Sequence, residues 1–272
     1  MRHARTLTAT VLAATALTAV LLTAPGSVAG EGPAIPPQRP NPAPSAEANA
    51  RAEAVEEVET SYTTADGVTH GSVYLAAPGV SAKELAAKLR AAGVRGVVEP
   101  GGVSAMAGNC GWGSAANLDG QCPVINWRRN GYTNPQIYYN DRSGASWPQG
   151  TALTQWNQSP NIHVERATGG CPNYSGTHCV DVVDGSYGAT GWLGVTSYSY
   201  DSARYFIDGT VSIKYNNSYA SNHRAVACHE SGHAFGVGHN TSTNSCMYGV
   251  GPNSNVPNAD DYALIVNRLY PR

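Results

Sequence analysis

The first strong pattern along the chain is a stretch without charge, Leu7 to Leu22, behind Arg2, His3 and Arg5 and ahead of the small residues Ala24, Ser27 and Ala29. A basic start, an apolar middle and a small-residue exit predict a secretory signal peptide over 1–29. An uncleaved anchor is the alternative, but the apolar run is short for one. Residues 30–50 are rich in Pro and Ala, which predicts an extended linker. Residues 51–109 differ again. Ala52 to Glu59 carries four Glu and reads as a short helix or a solvated acidic run. Val68 to Ala76 predicts a strand. Ser81, with Glu84 three residues on, forms a capping box, and Leu85 and Leu89 mark the apolar stripe of the helix it opens. Val94 to Val98 predicts a second strand, ended by Pro100-Gly101-Gly102. Together these form a small α/β prosegment, with Gly101 to Gly108 as its processing stretch.

From Cys110 the pattern changes to short strands between Gly- and Asn-rich loops. Strands are predicted at Ile137 to Asn140, Ile162 to Arg166, Val180 to Val183, Trp192 to Tyr198 and Phe206 to Tyr215. Ser146 to Gln158 predicts a helix with Pro148 in its first turn, where its missing N–H does no harm, and with Leu153 and Trp156 on one face. Asn222 to Phe235 predicts a second helix. Asn258 to Leu269 predicts a third, with Asp260 and Asp261 in its first turn and Arg268 in its last, as the helix dipole favours. The fold class expected for 110–272 is α+β: a twisted, mostly parallel sheet with an antiparallel edge, and helices packed against it.

Composition sharpens this picture. Hydrophobic residues are 42% of the 272, enough for a core, while charged residues are 13%, against roughly 25% in an average soluble domain. Low charge with 30 Gly, 15 Tyr and only 2 Phe predicts a loop-rich, hydrogen-bonded surface rather than a helical bundle. The formal net charge of −2 argues against a nucleic-acid partner, which needs a basic face. All six cysteines lie between Cys110 and Cys246, and an even number in an exported chain points to disulfides. Spacing suggests Cys110–Cys122, Cys171–Cys179 and Cys228–Cys246, although the sequence alone leaves other connectivities open.

The candidate chemistry lies in His229-Glu230-Ser231-Gly232-His233-Ala234-Phe235-Gly236-Val237-Gly238-His239. Histidines four apart on a helix sit about 40° apart in projection, one turn along the axis, so both imidazoles can reach one ion. Gly236 can take φ > 0 and stop the helix, letting the chain turn back and His239 supply a third nitrogen. Three protein ligands leave a fourth position for water, the pattern of a catalytic zinc ion. Glu230, one step round, is placed to act as general base on that metal-activated water, which predicts peptide-bond hydrolysis without a covalent intermediate. Cys228 projects about 100° from His229 and away from the metal. A Cys228–Cys246 bridge would brace the metal-bearing helix from behind.

HExxHxxGxxH, followed eight residues after His239 by Met247 in Ser245-Cys246-Met247-Tyr248-Gly249, resembles the metzincin zinc endopeptidases, closest to the matrixins. The resemblance covers roughly residues 130–272. It implies a metzincin-like catalytic domain with a twisted mixed sheet, an active-site helix and a C-terminal helix. It also implies His229, His233 and His239 as ligands of one catalytic Zn²⁺, Glu230 as base and Met247 as a hydrophobic floor beneath the ligands. An edge strand at Gly191 to Val195 would pair with an extended substrate. Two features depart from the pattern. Gly249 stands where some metzincins carry a Tyr ligand, and 30–109 lacks the Cys that keeps matrixin zymogens latent.

Asp181, Asp184, Asp201 and Asp208 supply oxygens for a Ca²⁺ site, but no D-x-D-x-D-G loop holds them and they read first as solvated loop acids. His163, His178 and His223 fit no zinc template. The expectation is therefore a secreted, extracellular, monomeric zinc endopeptidase acting on protein or peptide substrates, with no membrane association once mature. A secreted adhesion protein with a structural metal and a cell-wall amidase are the alternatives.

Overall fold

Two antiparallel strands, β1 (Glu57–Thr63) and β2 (Thr69–Ala76), begin the part of the chain that the computed structural model describes: residues 57–98, 124–240, 242–249 and 251–272. Helix α1 (Ala82–Ala91) follows. Its Ser81 cap works as read, with the side chain accepting from the Glu84 N–H and the Glu84 carboxylate accepting from the Ser81 N–H. Then come β3 (Gln136–Asp141), α2 (Gln149–Trp156), β4 (His163–Ala167), β5 (Thr177–Gly185), β6 (Trp192–Tyr200), β7 (Ser212–Asn216), α3 (His223–His233) and α4 (Ala259–Leu264), the last running into a π-helical turn, Ile265–Leu269.

The fold is α+β, with four α-helices among the described residues and one mixed seven-stranded sheet of order β1-β2-β6-β7-β5-β3-β4. Strands β4, β3, β5 and β7 are mutually parallel, while β6, β2 and β1 are added antiparallel. The hairpin β1–β2 thus belongs to the same sheet as the rest. Strand β6, expected at the sheet edge, is flanked on both sides: β2 runs antiparallel along it from Thr69 opposite Tyr200 to Ala76 opposite Trp192.

Several local expectations shift for tertiary reasons. Residues 57–59 form strand, not helix or a solvated run, because Glu57, Val58 and Glu59 pair with Leu75, Tyr74 and Val73 while Val58 enters a buried cluster. Val94 to Val98 contributes a single bridge, Val97 to Thr60. The strand expected from Phe206 begins only at Ser212, since Ile207 to Thr210 closes a turn in which Gly209 has φ +77°. Cys110, Cys122 and the processing stretch 101–108 lie outside the described residues.

The core explains the tyrosine- and tryptophan-rich composition. Trp127, Trp147, Trp156, Tyr139, Tyr215 and Phe235 are all fully buried. Buried Trp and Tyr need partners for their polar ends, and α3 with its C-terminal turn supplies acceptors. Trp156 Nε1 donates to the Cys228 carbonyl at 2.9 Å, and Tyr139 OH to Ser231 at 2.9 Å. Trp127 Nε1 reaches Ala234 at 2.9 Å and Tyr270 OH reaches Phe235 at 2.8 Å. A helix leaves its last carbonyls without intrahelical partners. Here aromatic donors from other elements satisfy several of them, which fixes the rotation of α3 about its axis.

Candidate metal centre

Helix α3 presents His229 and His233 on one face, with Nε2 atoms 3.1 Å apart. The helix stops where the glycine predicted it. Gly236 has φ +98°, its N–H donates to His233, and the Val237 N–H donates to Gly232. A Cβ at Gly236 would strike the Ile125 carbonyl, so the position excludes side chains on two grounds. The reversal brings the His239 ring to 4.9 Å from that of His233 and 5.5 Å from that of His229.

Two ring orientations are fixed from outside. The His229 Nδ1–H donates to the Cys246 carbonyl at 2.6 Å, and the His233 Nδ1–H to the Val237 carbonyl at 2.9 Å. With Nδ1 protonated by that commitment, each Nε2 is left to turn its lone pair inward, as metal-binding imidazoles require. The Cys228–Cys246 disulfide forms as expected, with Cα atoms 5.9 Å apart, and so the residue that holds the His229 ring is itself tied to α3. Cys171–Cys179 is also bridged.

The Met247 segment braces the centre. Met247 is fully buried, and a Cβ on Gly232 would lie 2.5 Å from its Sδ, so the thioether rests directly against the backbone of α3. The Asn240 N–H donates to the Met247 carbonyl at 2.7 Å, linking the residue after His239 to this segment. Beneath it, the buried Asp261 accepts from Asn240 Nδ2 at 2.8 Å, from Ser245 Oγ at 2.6 Å and from the Asn258 N–H at 2.7 Å. Burial pushes its carboxyl up, against those hydrogen bonds. The sequence marked Asp261 as a dipole-favoured residue of the first turn; its role in tying α4 to the His239 loop needed the tertiary structure.

Glu230 is buried against β6. Its Oε2 accepts from Thr196 Oγ1 at 2.5 Å, whereas Oε1 has no hydrogen-bond partner. Gly194 makes room for it, since a Cβ there would collide with Oε1.

The sequence did not disclose the fourth group. Glu57, from the first residue of β1, places Oε1 2.5 Å from His229 Nε2 and turns Oε2 to His239 Nε2. Glu57, His229, His233 and His239 each offer a ligand atom, all within 4.8 Å of one another and all buried. Burial disfavours charge on Glu57, but His239 and His229 outweigh it and hold the carboxyl well below the usual range. Burial likewise opposes protonation of His229, yet the Glu57 carboxylate raises it to about 9. Burial and the two neighbouring imidazoles press His233 well below its ordinary value. Burial pushes Glu230 up to about 8, against His229 and Thr196.

This donor set fits a metal ion. Two nitrogens at about 2.0–2.1 Å from one tetrahedral ion lie roughly 3.3 Å apart, near the spacing of the His229 and His233 Nε2 atoms. Glu230, the residue after His229, keeps a buried carboxylate oxygen without a partner. Such burial is unfavourable unless a donor or cation compensates it.

The other candidates disperse. Asp181 binds Asn140 and Arg142, Asp184 the Gly144 N–H and Asn217, Asp201 Arg128, and Asp208 His178, so the four acids considered for Ca²⁺ do not converge. His163 meets Glu165, and His223 donates to the Ser146 carbonyl. Among the described residues no helix is long and apolar enough to cross a membrane. No protein-family model matches the chain, and no curated protein matches it in sequence.

Proposed function

We propose that this chain is a secreted zinc-dependent endopeptidase of metzincin type, with His229, His233 and His239 as metal ligands and Glu230 as general base. The observation that carries the reading is the convergence of His229, His233 and His239, two of them with Nδ1 committed to backbone carbonyls; Glu230, next to His229 in the chain, keeps one buried oxygen uncommitted. Imidazoles with a carboxylate suit Zn²⁺ better than Ca²⁺, which takes six to eight oxygens. When bound, a zinc ion polarises a carbonyl and acidifies water.

The chain's own residues do the rest. The Thr196 hydroxyl anchors Oε2 of Glu230 and leaves Oε1 to take a proton and return it to a leaving amine. Gly194 keeps the space around that oxygen open. Cys246 and Val237 hold two ligand rings in orientation through their carbonyls. An extended protein or peptide substrate suits a site that lies beside a strand. Secretion rests on the charge-free run behind the N-terminal basic residues.

A second reading draws on the Glu57 contact. Three imidazoles and a carboxylate also make a closed four-ligand shell, the pattern of a structural zinc site in a binding or adhesion protein. Glu230→Gln separates the two. Elemental analysis should show unchanged zinc content, while peptide-library cleavage by secreted, processed material should fall by about 10²–10⁴-fold. Undiminished cleavage by the variant would refute the role of Glu230, and absence of zinc from parent and variant alike would sink the metal reading.

A further inference from the structure

We propose that the N-terminal hairpin is a built-in inhibitor of the metal centre, with Glu57 as its metal-directed ligand and β2 standing in for a bound peptide strand. The inference rests on the endopeptidase reading and concerns the regulation of that same site.

Access is the first consideration. His229, Glu230, His233 and His239 are 0%, 0%, 3% and 5% exposed, so no substrate reaches them in this form of the chain. Strand identity is the second. Unpaired, the outer side of β6 would offer free N–H and C=O groups to any extended chain, and adding a strand to such an edge is a general mode of peptide recognition. Here β2 takes that place along the whole of β6, including Gly194, Val195 and Thr196, the stretch that packs against Glu230.

Glu57 is the third. A carboxylate at the start of an outer strand has no structural reason to be buried, and burying it is costly unless it is paired. Its partners are ligand nitrogens from His229, 172 positions later in the chain, and His239. A carboxylate oxygen is a competent ligand for a divalent ion and would take the position that catalysis reserves for water. Covalent attachment makes this block effective, because a tethered ligand competes at a high local concentration. Hydrolysis of one peptide bond between the hairpin and the rest of the chain, by this or another endopeptidase, turns the block into a separable partner. A latency device of this kind requires no cysteine, and residues 30–109 contain none.

Val58, Ala76, Ala82, Leu85, Ala86 and Leu89 form a small buried cluster of the hairpin's own, while Val73, Leu75 and Ala77 join the main core.

The test uses the full chain loaded with Co²⁺ in place of zinc, as parent and as Glu57→Gln. Loss of a carboxylate ligand should alter the visible cobalt spectrum. It should also let acetohydroxamate, a small metal-binding probe, bind about tenfold or more tightly, since the tethered competitor is gone. Glu57→Asp, which withdraws the carboxylate by one methylene, should move both readouts the same way and decides the matter if the Gln variant misfolds. Identical spectra and probe affinity, with cobalt retained by parent and folded variant, would overturn the inhibitor proposal and leave the endopeptidase reading standing. Failure of every form to retain cobalt would overturn the reading beneath it, and this proposal with it.

Discussion

The part of the molecule that carries the histidine cluster and the N-terminal hairpin share a sheet, but they are held by different forces. Around α3, aromatic side chains are buried with their polar ends bonded to helix carbonyls, and a disulfide joins Cys228 to Cys246. The hairpin has a small aliphatic cluster, no cysteine in any of its elements, one strand pairing to β6, and Val73, Leu75 and Ala77 in the main core. Its most demanding interaction is the buried Glu57 carboxylate among histidines. One region is braced by a disulfide and by aromatic donors on helix carbonyls, whereas the other keeps its place through a strand edge, a few aliphatic side chains and a charge. This is the asymmetry expected of a permanent frame and a removable part.

Substitutions can break or sharpen this contrast. The largest expected effect is in the frame. Cys228→Ala, tested with zinc bound, should lower stability by about 2–5 kcal/mol. It should also loosen the carbonyl that orients His229, so that metal is lost to a chelator faster than from the parent. Thermal melts and chelator kinetics read both effects, and an unchanged melt would remove the disulfide from the frame. A pair of core truncations comes next. Ile137→Ala on β3 and Leu85→Ala on α1 each remove a fully buried side chain, at about 2–5 kcal/mol. Hydrogen exchange should distinguish them. The first should reduce protection across β3, β5 and β7, and the second only in β1, β2 and α1. Equal loss everywhere in both variants would show that hairpin and frame unfold as one. The smallest effect is Ser81→Ala, which deletes the α1 cap and should cost about 1 kcal/mol, visible as faster exchange at Glu84 and Leu85 with metal content unchanged.

Legibility followed the range of the interactions. The Ser81 cap and the Gly236 stop were readable because a helix end is decided within a few residues. The His229–His233 pair was readable because helical spacing alone brings positions four apart together, and the Cys228–Cys246 and Cys171–Cys179 pairs because their partners are close in sequence. Strand limits were less legible. Nothing local separates an acidic run from β1, and only pairing with β2 makes Glu57 to Glu59 a strand.

The same boundary runs through the candidate site. The sequence by itself determined three histidines, a neighbouring glutamate and a nearby methionine, since their spacing and local turn bring the ligand side of the site together. Only the tertiary structure decided that Glu57 joins them, that Thr196 and Gly194 shape the surroundings of Glu230, that Asp261 ties the His239 loop to α4, and that β6 is covered. Each of these depends on strands and loops far apart in the chain meeting in one sheet, and such contacts are chosen by the packing of the whole core rather than by any short run of residues.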